Sequence, residues 1–324
     1  MPLALCIAAV LSSVLVVPAW AGTAYVANDL DGTVSVVDTD TNQTVGKAIN
    51  VGKGPRGVAI TPDGRRVYVA NRASGNVSVI NTKKQKIVGK PIKVGRQPRG
   101  ITASPDGKRI YTANRKADNV SVINTKKAKT VGKPIKVGNA PHGITIAPNG
   151  RRLYVSDNDD GAVSVINTKK AKTVGKPVKV GAKDGPEGLA ASHDGAHVYV
   201  ANFGDDNVYV IDTATHSTVA TIAVGFGPTG IAVSPDSSRV YVANESDGTV
   251  SVIDAATNQV VGAPIAVRST PVSVAFTPDG SRAYVANRGS NNLSVIDTAT
   301  SQTVGAPIKL GKGPRAVAIT DRQP

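Results

Sequence analysis

Cysteine, tryptophan and methionine each occur once in the 324 residues, as Cys6, Trp20 and Met1, and all three fall within the first 21. Beyond residue 21 there is thus no disulfide, no cysteine nucleophile, no haem-attachment motif and no paired-cysteine zinc site. No indole remains on which a sugar could stack. Acidic residues are also scarce: 38 Lys and Arg stand against 23 Asp and Glu, a formal net charge of +15 that favours anionic partners. The basic stretches lack interleaved aromatics and no recognition helix is present, which excludes sequence-specific nucleic-acid readout and leaves only non-sequence-specific contact. No metal site and no cofactor are expected. The run Asp157-Asn158-Asp159-Asp160-Gly161 has its glycine one place too early for a helix-loop-helix calcium loop.

The first 21 residues, MPLALCIAAVLSSVLVVPAWA, carry no charged side chain and end in a small-x-small pattern, Ala19-Trp20-Ala21. They are expected to be a cleaved signal peptide, with an uncleaved membrane anchor as the alternative because a basic n-region is missing. Residues 22–324 then form a single exported domain, periplasmic or extracellular, with no membrane span after cleavage. Its stability has to come from burial and strand pairing.

The tetrapeptides YVAN, YTAN and YVSD begin at Tyr25, Tyr68, Tyr111, Tyr154, Tyr199, Tyr241 and Tyr284, at steps of 43, 43, 43, 45, 42 and 43 residues. Each period holds four short runs rich in Val, Ile, Tyr and Thr, bounded by Gly, Pro and Asn, as in "GVAIT", "RVYVAN", "VSVIN" and "KPIKV". A period in the forties with four strands is the mark of a propeller blade. The chain enters in mid-repeat at "TAYVAN" and ends on an unmatched inner strand, "GPRAVAIT". Pairing residues 316 to 320 with 24 to 28 closes a ring and hides the sheet edges. The predicted fold is all-β: a seven-bladed β-propeller of four-stranded antiparallel blades, closed by the C-terminal strand pairing with the N-terminal blade.

The YVAN strand, the "GVAITPDG" hairpin and "VSVIDT" resemble the YVTN-family β-propeller repeat, found in bacterial periplasmic and archaeal surface-layer proteins. The resemblance covers residues 22–324 and implies the propeller fold. Blade 4 departs from the pattern at Ser156 and Asp157, and blade 5 carries Glu187 where other blades have Arg or His.

The residue after the Pro that opens each inner strand, followed by Gly in five of the seven blades, is expected to ring the channel mouth: Arg315, Arg56, Arg99, His142, Glu187, Thr229 and Val272. The loops after the YVAN strands add Arg72, Arg115 and Arg288 on one side. Asp157, Asp159, Asp160, Asp205, Asp206, Glu245 and Asp247 lie on the other. The expected top face therefore has a basic and an acidic pole, with Phe203, Phe226 and the insertion bearing Asp184 nearby. A small anionic or zwitterionic ligand, or a peptide, suits the mouth.

Blades 2, 3 and 4 each carry five lysines at equivalent outer positions, including Lys83, Lys84, Lys126, Lys127, Lys169 and Lys170. They form a predicted arc for an anionic polymer, an anionic surface or an envelope protein, although outer-strand lysine and proline also block edge pairing. Taken together, these features favour an exported, monomeric, non-enzymatic binding or scaffold propeller of the cell envelope. The alternative is a top-face enzyme, hydrolase, lactonase- or lyase-like, with His142 and Glu187 as acid and base.

Overall fold

The computed structural model describes residues 22–181 and 185–321; the expected leader and Asp184 lie outside them. Seven antiparallel sheets follow one another in sequence. Blade 2 is typical: an inner strand Pro55–Ile60, a second strand Arg66–Asn71, a third Asn76–Asn81, and an outer strand in two pieces, Lys86–Ile87 and Ile92–Lys93.

The ring closes as the repeat phase requires. Strand Pro314–Asp321 supplies the inner strand of blade 1 and pairs with Gly22–Asn28, with Ala24 opposite Ile319 and Ala27 opposite Ala316. Blades then pack face to face. Tyr68, Ala70, Val77 and Val79 of blade 2 share a buried cluster with Ile101, Ile110 and Ile123 of blade 3. Tyrosine and alanine alternate on that face, filling the wide and narrow parts of the wedge between blades. At the closing seam the Tyr284 hydroxyl donates to Asn42 Oδ1 at 2.6 Å, fastening blade 7 to blade 1.

One expectation needs correction. The outer strand is not one run. In six blades a left-handed glycine (Gly46, Gly89, Gly132, Gly175, Gly262 and Gly305) breaks it into two-residue pieces. Only blade 5, which lacks that glycine, keeps an uninterrupted outer strand, Ser217–Ala223. The asparagine closing each YVAN is fully buried. In blade 2 its Nδ2 donates to Ser78 Oγ at 2.9 Å and Asn76 Oδ1 at 2.8 Å, tying second strand to third where a bare amide would be costly.

Candidate functional site

In blades 2 to 6 the inner strands meet around the axis so closely that a side chain after the ring position would collide, whereas blades 7 and 1 admit Ser273 and Ala316 there. A Cβ on Gly57, Gly100, Gly143 or Gly188 would stand 2.3, 2.6, 2.3 or 2.3 Å from the backbone oxygen of the next blade's ring residue. Glycine there lets the ring close tightly and turns the preceding residue into the mouth. The result is a cavity of about 220 Å³ whose wall includes Arg56, Arg99, Arg315, His142, Glu187, Thr229 and Val272. All seven predicted ring residues come together.

The ladder is not uniform around the mouth. In blades 2, 6 and 7 pairing resumes at Gly57, Gly230 and Ser273. In blades 3, 4 and 5 it resumes one residue later, at Ile101, Ile144 and Leu189. Arg99-Gly100, His142-Gly143 and Glu187-Gly188 are thereby released from the second strand. Such bulges interrupt the ladder and bend the strand locally.

His142 Nε2 lies 3.8 Å from Glu187 Oε1, with the side chains 20% and 25% exposed. This gap is too long for a hydrogen bond and short enough to pass a proton through one water. Burial, reinforced by Arg99, Arg56, Arg115 and Arg315, holds the His142 imidazole well below its ordinary range. Burial also raises the Glu187 carboxyl, against the opposing pull of Arg99. At neutral pH the histidine is a free base, while the glutamate holds its proton more tightly than usual.

Arg56 and Arg315 share one carboxylate, Asp29 Oδ2, at 3.5 and 3.7 Å. Sequence reading missed Asp29. Burial and the Arg315 and Arg99 guanidinium groups push Arg56 down to about 9, and burial with Arg115 pushes Arg99 down to about 10. Both remain cations at neutral pH. The Nε atoms of Arg56, Arg99 and Arg315 are buried without a hydrogen-bond acceptor among the described residues. Three guanidinium groups with one carboxylate between them leave an unfilled demand for anionic oxygen.

Other candidates fall outside this wall. Arg72 and Arg115 stand behind it, close enough to lower Arg99 electrostatically, and Arg115 Nη2 meets Asp159 Oδ1 at 3.5 Å. Phe203 and Phe226 are not on the wall: they are 39% and 63% exposed on loops further out. Three of the seven residues of the expected acidic pole fasten the chain. Asp160 Oδ2 accepts the Asn139 amide, Asp206 Oδ1 the Gly227 amide and Asp247 Oδ2 the Phe226 amide, at 2.7, 2.8 and 2.6 Å. Each pins a crossover between blades. The fifteen outer lysines are all exposed, and none has a carboxylate partner among the described residues.

Hydrazine synthase from Kuenenia stuttgartiensis matches this structure with a TM-score of 0.77 at 26% identity, over 86% of this chain and 92% of that one. The periplasmic gluconolactonase of Pseudomonas aeruginosa matches with a TM-score of 0.78 at 18% identity, over 92% and 99%. A provisionally assigned 6-phosphogluconolactonase from Bacteroides fragilis gives 0.78 at 19%, over 94% and 99%. Those last two likenesses carry the fold and no more. No curated protein matches the chain. The expectation of a non-enzymatic binding or scaffold module is overturned by the family described as "Lactonase, 7-bladed beta-propeller", which matches residues 16–131, 123–223 and 189–323. The chain belongs to that lactonase seven-bladed β-propeller family.

Proposed function

We propose that the protein hydrolyses a small lactone bearing an anionic group, in the hub cavity, with His142 as general base and Glu187 as general acid. One observation carries this reading. A histidine pushed down and a glutamate pushed up stand 3.8 Å apart, beside three arginines, in a member of a lactonase family. Environments that drive two titrating groups in opposite directions define an acid and a base at one pH.

Water adds to the ring carbonyl carbon while His142 takes one of its protons. The charge gathering on the carbonyl oxygen faces the Arg56 and Arg315 guanidinium groups, leaving Arg99 to the anionic group. The bond from that carbon to the ring oxygen breaks, and the ring oxygen takes the proton of Glu187. The imidazolium then returns its proton to the Glu187 carboxylate through one water, and the hydroxy acid leaves. A pH-stat assay over γ- and δ-lactones, neutral and carboxylate- or phosphate-bearing, tests the reading; no turnover above the blank on any of them removes it.

Arg99 is the cavity arginine without an ion pair among the described residues. Arg99→Gln is expected to raise KM for the anionic lactones about 10- to 100-fold and to leave neutral ones within about twofold. Equal losses on both classes would assign Arg99 to the carbonyl oxygen instead of the anionic group.

The repeat is taken as YVTN type, with residues 1–21 a leader and 22–324 one exported propeller; finding Gly22 at the amino terminus of the exported protein tests the cleavage. Apart from catalysis, the lysine arc is proposed to rest on an anionic polymer. Edge protection does not account for these lysines. They sit on blades 2 to 4, whose outer strands are already broken, while the uninterrupted strand Ser217–Ala223 has none. Retention on heparin should fall with salt, and changing Lys83, Lys84, Lys126, Lys127, Lys169 and Lys170 together to Gln should flatten that dependence. Unchanged retention would make the arc plain solvated surface.

A further inference from the structure

Six blades place alanine at the third position of the YVAN-type tetrapeptide: Ala27, Ala70, Ala113, Ala201, Ala243 and Ala286. Blade 4 places Ser156 there, and like those alanines it is fully buried. A buried hydroxyl needs partners. Both of those found by Ser156 lie on the inner strands that carry the acid–base pair. The Gly143 amide donates to Ser156 Oγ at 2.8 Å, and the Ser156 hydroxyl donates to the Glu187 carbonyl at 2.7 Å. Gly143 directly follows His142, so one oxygen atom joins the two catalytic segments.

Both segments have left their ladders. His142-Gly143 and Glu187-Gly188 have no partner across the second strand, and regular sheet pairing does not fix their spacing. Blade 3, released in the same way, uses Thr112 Oγ1 on the Gly100 carbonyl at 3.0 Å, a link within one blade. Ser156 instead spans two blades. Asn158 reinforces the span, its Nδ2 donating to the Pro186 carbonyl at 3.3 Å, one residue before Glu187.

We propose that Ser156 is a positioning residue that sets the separation of His142 from Glu187 by clamping the inner strands of blades 4 and 5. This rests on the reading of that pair as the base and acid of lactone opening. Ser156→Ala is a safe substitution, since alanine occupies the same place in six other blades. It is expected to lower kcat about 10- to 100-fold with KM within about twofold, the loss that comes from misplacing catalytic groups by roughly 1 Å.

A second readout does not need turnover. In the variant, the loosened strands admit water and the His142 imidazole, followed by NMR, should titrate closer to its ordinary midpoint of about 6.5. A merely structural serine would lower the melting temperature and leave both kcat and the His142 midpoint in place, and that result overturns the proposal. If the parent protein opens no lactone, the hydrolase reading fails by itself. The clamp then stands or falls on the His142 midpoint: a rise supports it and an unmoved value sinks it.

Discussion

Glu187→Gln is expected to lower kcat/KM on an aliphatic δ-lactone by about 10²- to 10⁴-fold, the range that removing a placed general acid costs. The size depends on the leaving group. An aliphatic alkoxide is a poor one and needs the Glu187 proton as the ring bond breaks, whereas a phenolate departs with little help. An aryl lactone should therefore lose much less in the same variant. His142→Ala, which removes the base that acts on water, should slow both substrates alike. The pH profile follows from the shifts: His142 works as a neutral imidazole, so activity persists below pH 6.5 and falls only where the depressed imidazole gains its proton. On the alkaline side activity declines as Glu187 ionises, above the ordinary carboxylate range. A His142→Ala protein with parental rates, or equal losses on alkyl and aryl lactones in Glu187→Gln, would refute these roles.

Asp157→Asn should stabilise the protein at alkaline pH and change little in acid. The position is asparagine in the other six blades and aspartate only here. Asp157 is fully buried, and its Oδ2 accepts the Ser164 hydroxyl at 2.6 Å. Burial, with Asp160 adding to it, raises the carboxyl from 3.8 to about 7. A carboxyl raised in the folded state stabilises the fold while protonated. That contribution is complete below about pH 4 and is lost as pH climbs through 7. Asparagine carries no such linkage and keeps the strand-to-strand bond, with its amide donating to serine as in the sibling blades. If nothing relieves the buried charge, the difference reaches about 4 kcal/mol at pH 8. On a domain of this size that corresponds to roughly 5–10 °C in Tm. Melting curves at pH 4.5 and 8 decide the matter: the same Tm difference at both would mean that Asp157 is already ionised in the folded protein.

The blades were legible because their period is written in tyrosine and their turns in Pro-Asp-Gly. Ring closure was legible from phase alone, to within one residue of the observed register. The mouth could be read because a Pro-X pair marks it in every blade, with glycine behind it in five of the seven. The released ladders of blades 3 to 5 could not, since blade 2 has the same Pro-Arg-Gly and stays paired. Asp29 was hidden because its loop, "NDLDGT", looks like its siblings and both of its arginines arrive from other parts of the chain.

Part of the expected acidic pole has a second role, for a reason visible in the repeat. The position six residues after each tyrosine holds Asp31, Ser74, Asp160 and Ser290, among others, and each of these four accepts a crossover amide. A position that exchanges aspartate for serine is asking for a hydrogen-bond acceptor, not for charge. Ser156 left a signal too, as a lone hydroxyl among alanines, but its meaning required knowing that two blades face it.

The strand that seals the ring also carries Arg315, so the cavity and the seam are finished by the same eight residues. During synthesis the first blade must wait, one edge bare, until the strand Pro314–Asp321 has left the ribosome. A chain cut short before Pro314 would have an open flank and only two of its three guanidinium groups around the mouth. Completion of the mouth thus waits on the same late event as closure of the ring.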